Sequence, residues 1–301
     1  MPLSTVVTHS LKDSHRGLPR NHHVGVEEMK MSEAANSADE QQVLYEVDEN
    51  IATITLNRPH RRNAITSKML QQLGEAFLRA DNDVDVRCIV LTGSGQGFCS
   101  GLDMKEAAAG TDIGGNPNAS AALPHTRTLP TNILFNLDTP VIAAVNGAAA
   151  GYGLDLALGC DMRVGGESTR LLPGFAKRGI VPESGGTWYL PRLIGWAKAT
   201  EISFRGNDLD ANESREIGLL NDVVADDDLV AVAKDWAGEI AGNAPLAISS
   251  MKRLFRHGLT QDFESHTHHV LLQTMALFRT KDFKESVSAF MERRDPRFEG
   301  R

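Results

Sequence analysis

Asp155 lies among Leu154, Leu156, Ala157 and Leu158, and a carboxylate in so apolar a run is costly unless it is paired or does chemistry. It closes the stretch Ala143-Ala144-Val145-Asn146-Gly147-Ala148-Ala149-Ala150-Gly151-Tyr152-Gly153-Leu154, in which a strand pattern runs through small residues into a helix pattern. Bare glycines at a helix start leave amides free at the positive end of the dipole, which suits a developing oxyanion; tight helix packing is the competing explanation. A second turn, Gly97-Phe98-Cys99-Ser100-Gly101-Leu102-Asp103-Met104-Lys105, also follows a strand. Its small residues either let a ligand approach the backbone or simply make the turn. It is not a dinucleotide fingerprint, since Gly93-Ser94-Gly95 leads to Phe98 where the third glycine would stand. Cys99-Ser100 has no evident general base in the sequence, which argues against nucleophilic catalysis. His266-Thr267-His268-His269 looks metal-like, but Phe263, Val270, Leu271 and Met275 form the apolar face of a helix there, with no acidic or cysteine cluster nearby. No metal is expected.

The elements that must position these groups are legible from periodicity. Residues 43–47 and 51–56 read as a β-hairpin across Asp48-Glu49-Asn50, and Asn57-Arg58-Pro59 stops its second strand. Met69, Leu70, Leu73 and Phe77 recur at helical spacing behind a Thr66 cap, and residues 86–91 form a continuous apolar strand. The cycle returns with a helix near residues 131–137, a strand over 141–145 and a small-residue helix from about Gly151. This is the pattern of repeated ββα units around a covered sheet. Beyond about residue 226 the segments 229–240, 246–255, 263–278 and 283–291 all read as helices with no strand between them. Residues 1–40 are polar and aperiodic, as expected of a disordered tail. The expected division is therefore a tail over 1–40, an α/β core over 41–225 and a helical C-terminal segment over 226–301. The Gly/Ala/Asn-rich stretch 107–122 is expected to be a mobile loop beside a binding site.

With 301 residues the chain can bury a substantial core. Its formal net charge of -8 argues against general nucleic-acid or membrane-surface binding, both of which need a positive field. Three cysteines without a CxxC pair suggest neither a disulfide scaffold nor a zinc site and fit a reducing cytoplasm. No apolar run reaches the ~18 residues of a transmembrane helix.

Taken together the motifs resemble the crotonase (enoyl-CoA hydratase/isomerase) superfamily, over roughly residues 43–300. The resemblance rests on Asn57-Arg58-Pro59 with Asn63-Ala64, Ser100-Gly101-Leu102-Asp103, Ala144-Val145-Asn146-Gly147 through Cys160-Asp161-Met162-Arg163, and Gly179-Ile180-Val181-Pro182-Glu183-Ser184-Gly185-Gly186. Leu190-Pro191-Arg192-Leu193-Ile194-Gly195 and Ala289-Phe290-Met291-Glu292-Arg293-Arg294 complete it. It implies a crotonase-like spiral of ββα units with a helical C-terminal segment that assembles homo-trimers or dimers of trimers. It implies an acyl-CoA substrate, with coenzyme A as part of the substrate and no separate cofactor. Leu102 and Tyr152 would donate the two oxyanion-hole amides, and Arg61, Arg62, Asp103, Met104 and Lys105 would contact CoA, whose phosphates suit an arginine pair. That pair is otherwise a solvated basic turn, and Arg293 and Arg294 either reach the same nucleotide or are surface charges.

The acids depart from the hydratase pattern. Asp155 occupies the place of the first catalytic glutamate, but the second falls at Phe175, which cannot transfer a proton. Glu183 stands where related isomerases carry their acid. Moving a double bond needs one proton shuttle, whereas adding water uses two groups, so isomerisation is slightly favoured over hydration. Asp155 could instead be a buried structural acid, and Glu183 an exposed acid beside a helix start. The rival readings are a non-catalytic acyl-CoA-binding protein and another reaction of the superfamily such as thioester hydrolysis.

Overall fold

The computed structural model describes residues 41–105 and 126–301; the expected tail over 1–40 and loop over 107–122 lie outside the described residues. A compact unit spans Gln41–Arg301. Its first two strands, β1 (Val43–Asp48) and β2 (Ile51–Leu56), pair antiparallel with Asp48 opposite Ile51. The turn is the two residues Glu49 and Asn50, both at positive φ, the geometry that matches the twist of a hairpin. Helix α1 (Ser67–Asn82) follows, with the Thr66 hydroxyl accepting from the Met69 amide at 3.0 Å. It buries Met69, Leu70, Leu73 and Phe77, as their spacing predicts.

From here each repeat divides its strands between two sheets. β3 (Cys88–Gly93), β5 (Val141–Val145) and β7 (Met162–Gly166) extend the hairpin in parallel, while β4 (Gly97–Cys99), β6 (Ala148–Ala150) and β8 (Arg170–Leu172) form a second parallel sheet. The helices α2 (Pro130–Asn136), α3 (Tyr152–Gly159) and α4 (Gly186–Arg205) connect them. β9 (Leu209–Asp210), α5 (Ala211–Glu216) and β10 (Asp222–Val224) close the spiral, giving strand orders β1-β2-β3-β5-β7-β10 and β4-β6-β8-β9. Strands covered on both faces read as continuous apolar runs, and all of β3 and β5 is buried.

Among the described residues the C-terminal segment holds four α-helices and no strand: α6 (Leu229–Ala241), α7 (Pro245–Gly258), α8 (Phe263–Leu277) and α9 (Lys281–Glu292). It is not uniform, however. Leu229, Ala233 and Ala237 of α6 pack on Val90, Ile142, Ala144 and Val164, so α6 covers one face of the larger sheet and is part of the core. The boundary at 226 thus marks the end of the strands and falls within the packed unit. Helix α4 breaks at Gly195 (φ 74°, ψ 163°), a conformation open to glycine.

Candidate active site

The first turn is stapled from beneath. Asn63 lies at positive φ; its amide nitrogen donates to the Ser94 and Gly97 carbonyls at 2.9 and 2.7 Å, and its oxygen accepts from the Arg58 amide at 2.8 Å. The buried Arg58 guanidinium donates to the Ala64 carbonyl and to Asp103 at 2.7 and 3.0 Å. Ile65 then bridges in parallel to Leu102: its amide donates to the Gly101 carbonyl and its carbonyl accepts from the Asp103 amide, both at 2.8 Å. In a parallel bridge the middle residue's own N–H faces the opposite side, so the Leu102 amide points away from Ile65. The second turn lies against Gly101. A Cβ on Gly101 (φ 89°) would sit 2.9 Å from the Ala150 carbonyl oxygen and 3.7 Å from the Gly151 Cα, so only glycine allows the two turns to meet.

The second turn leaves the small sheet through Gly151 (φ 52°, ψ -124°) and enters α3 at Tyr152. The first intrahelical bond runs from the Asp155 amide to the Gly151 carbonyl at 3.1 Å, so the Tyr152 amide belongs to the first-turn donors a helix leaves unmatched. Two such amides on abutting turns can hold an oxyanion. Gly153 seats α3 on the first turn, because a Cβ there would lie 2.6 Å from Cys99 Cβ and 2.8 Å from its Sγ. The other end of α3 is held by Arg163, which is buried and donates to the Cys160 carbonyl at 2.6 Å, the Leu158 carbonyl at 3.5 Å and the Leu219 carbonyl at 2.7 Å.

Both expected acids come to this place. Asp155 is wholly buried, and its Oδ2 accepts from the Ser184 amide at 3.0 Å. Burial raises its pKa to about 7, against the opposing pull of the Gly186 and Ser184 amides, and the neighbouring Glu183 adds to the rise. Glu183 is raised too, by desolvation, and the residue lines a cleft of about 830 Å³. That cleft lies between α2, the start of α4 and α7. Gly186 gives Asp155 its room, since a Cβ there would press on the carboxylate. Perturbed carboxylates at a cleft are the usual mark of acid-base chemistry. Phe175 is buried in the core cluster. Cys99 is buried with its thiol pushed up to about 12, which leaves it inert as a nucleophile.

Arg61, Arg62, Met104 and Lys105 are exposed at one corner, joined by the Ser100 amide donating to the Arg62 carbonyl at 3.0 Å. Asp103 differs from these: its carboxylate faces inward, bonded to Arg58 and to the Lys105 amide at 3.0 Å. It braces the corner from within. Arg294 is engaged with Glu285 and Glu292, the surface-charge alternative for that residue. Among the described residues no group of His, Cys, Asp and Glu could hold a metal, and no helix is long and apolar enough to cross a membrane. The His269 ring packs on His257 at 5.0 Å. Arg58, Asn63 and Arg163 were present in the motifs without a function; a buried arginine inside a motif is the signal that such residues build the turns.

A protein-family profile described as enoyl-CoA hydratase/isomerase matches residues 46–301. The 1,2-epoxyphenylacetyl-CoA isomerase of Escherichia coli is 34% identical over 259 residues, covering 86% of this chain and 98% of its own. A carnitinyl-CoA dehydratase of Salmonella heidelberg is 37% identical over 258 residues, covering 83% and 95%. The crystal structure of an enoyl-CoA hydratase from Bacillus anthracis superposes with a TM-score of 0.81 at 32% identity, covering 87% of this chain and 100% of that one.

Proposed function

The chain belongs to the enoyl-CoA hydratase/isomerase family, and from that premise we propose that it moves the double bond of unsaturated acyl-CoA thioesters, with Glu183 as the proton shuttle. The thioester oxygen sits between the Leu102 and Tyr152 amides, which stabilise the enolate as charge develops. The Glu183 carboxylate takes a proton from the carbon next to the thioester and returns it at the far end of the original double bond, so that the new double bond forms next to the thioester. Asp155, behind the Ser184 amide, sets the position and charge of the Glu183 segment. The CoA moiety lies along Arg61, Arg62, Met104 and Lys105, with phosphates met by the two guanidinium groups, and no further cofactor takes part.

The observation that carries this reading is the pairing of Phe175 in the core with a raised acid, Glu183, that lines the cleft. One shuttle is provided where hydration uses two. Hydration keeps one argument in its favour, because Asp155 and Glu183 are close enough that the second raises the first, and two acids could divide the work of adding water. Assaying 3-enoyl-CoA and 2-enoyl-CoA substrates side by side separates the two. Isomerisation of the former should exceed hydration of the latter; the reverse ratio overturns the assignment, and release of free CoA thiol would identify hydrolysis. No turnover on either would leave a binding protein.

A further inference from the structure

The cleft beside Glu183 carries an unusual concentration of aromatic surface. Phe135 of α2 meets Trp188 of α4 edge to face at 5.3 Å and 83°, and Trp188 meets Tyr189 at 5.1 Å and 87°. All three line the cleft and all three are only half-buried. The Arg192 guanidinium stacks 4.1 Å from the Trp188 ring centroid, so one face of the indole is occupied by the protein itself. Glu183 lines the same cleft. Opposite elements supply Leu129 from the approach to α2 and His257 and Leu259 from α7 and its end.

Half-buried rings in edge-to-face order present both ring edges and ring faces to whatever enters, and another flat ring completes that geometry better than a flexible chain does. A ring also enters with few torsions to freeze, whereas an alkyl tail of equal apolar area loses rotamer freedom along its length. A cleft of about 830 Å³ has room for a ring.

We infer that the acyl group this site is built for ends in an aromatic ring, seated against Phe135 and Trp188. This rests on the reading of Glu183 as facing the acyl group. The reaction is unchanged: the proton moves between carbons near the thioester, and the ring provides binding and orientation.

The test separates binding from turnover by using saturated thioesters that cannot react. Calorimetry on the full chain should find 4-phenylbutanoyl-CoA about tenfold tighter than octanoyl-CoA, a difference of the size that aromatic contacts supply. Phe135→Leu and Trp188→Leu should each remove most of that preference while leaving octanoyl-CoA affinity within about twofold. Of the two, Phe135→Leu is the milder change to the fold and keeps the test valid if Trp188→Leu fails to fold. Equal affinity for the two thioesters in the wild type, or an aryl preference that survives Phe135→Leu, overturns the inference. A preference that behaves as expected in a protein with no turnover on any enoyl-CoA leaves the inference standing and removes the proposed isomerisation instead.

Discussion

At the scale of the residue, the two acids differ in what their removal should do. Glu183→Gln keeps shape and polarity but cannot accept a proton, so double-bond migration should slow by about a hundredfold or more with CoA-thioester binding retained. Steady-state kinetics with 3-enoyl-CoA checks it. Asp155 carries a linkage signature as well. Its folded pKa of about 7 lies above the ordinary aspartate value, so below about pH 4 both states are protonated and it costs nothing. As pH rises toward 7 the unfolded chain releases the proton while the folded chain holds it, and the folded state loses stability until about pH 7, beyond which the loss is complete. Asp155→Asn removes this dependence. The variant's stability relative to wild type should therefore improve by about 2 to 3 kcal/mol between pH 5 and pH 8, which urea unfolding at the two pH values measures. Asp155 was legible from its apolar neighbours alone. Glu183 was legible only through resemblance, because an acid in a Pro-Glu-Ser-Gly turn has nothing in its own neighbourhood to mark it.

At the scale of the element, α3 ties the oxyanion turn to the acid, and its glycines set how closely it can approach. Gly153→Ala would place a methyl group against Cys99, and overpacking of this kind costs about 1 to 3 kcal/mol. Because the shift would move the Tyr152 amide, kcat should fall together with the melting temperature. Gly238→Ala is the control: it lies inside α6 with nothing within 4 Å of the added Cβ, so it should stabilise by about 0.5 to 1 kcal/mol and leave kinetics unchanged. Thermal melts and kinetics on both variants test the contrast. Glycine identity in the sequence does not separate these two cases; only the neighbour across the fold does. The hairpin, α1 and the apolar strands were legible because their periodicity is local, whereas the role of α6 was not, since a helix that covers a sheet and one that covers a partner carry similar apolar faces.

At the scale of the whole molecule, α7 to α9 leave Phe255, Phe263 and Phe290 75, 83 and 82% exposed. Apolar surface on that scale calls for a partner, and a homo-trimer or dimer of trimers would supply it with a closed set of equal contacts. Light scattering should give a multiple of the 32.7 kDa chain mass; a monomer at micromolar concentration would contradict the expectation. Residues 1–40 are expected from their polar composition to be dispensable. A chain beginning at Gln41 should keep its melting temperature and its kcat, and a loss of several degrees would show that the segment packs on the rest.

The hairpin, the first strand-helix-strand cycle, the run of C-terminal helices, the glycine turns and the family were legible in the sequence alone, because periodicity and small-residue motifs are properties of neighbouring residues. Which strands share a sheet was not, since β3 and β4 are adjacent in the chain yet enter different sheets. Nor was the ion pair of Arg58 with Asp103, which joins residues far apart in the chain. The close packing of the Gly101 and Gly151 turns, the coupling of Asp155 to Glu183 and the aromatic cleft join residues far apart in the chain. Burial, charge coupling and cleft shape depend on distance in space, and only the tertiary structure brings those residues within it.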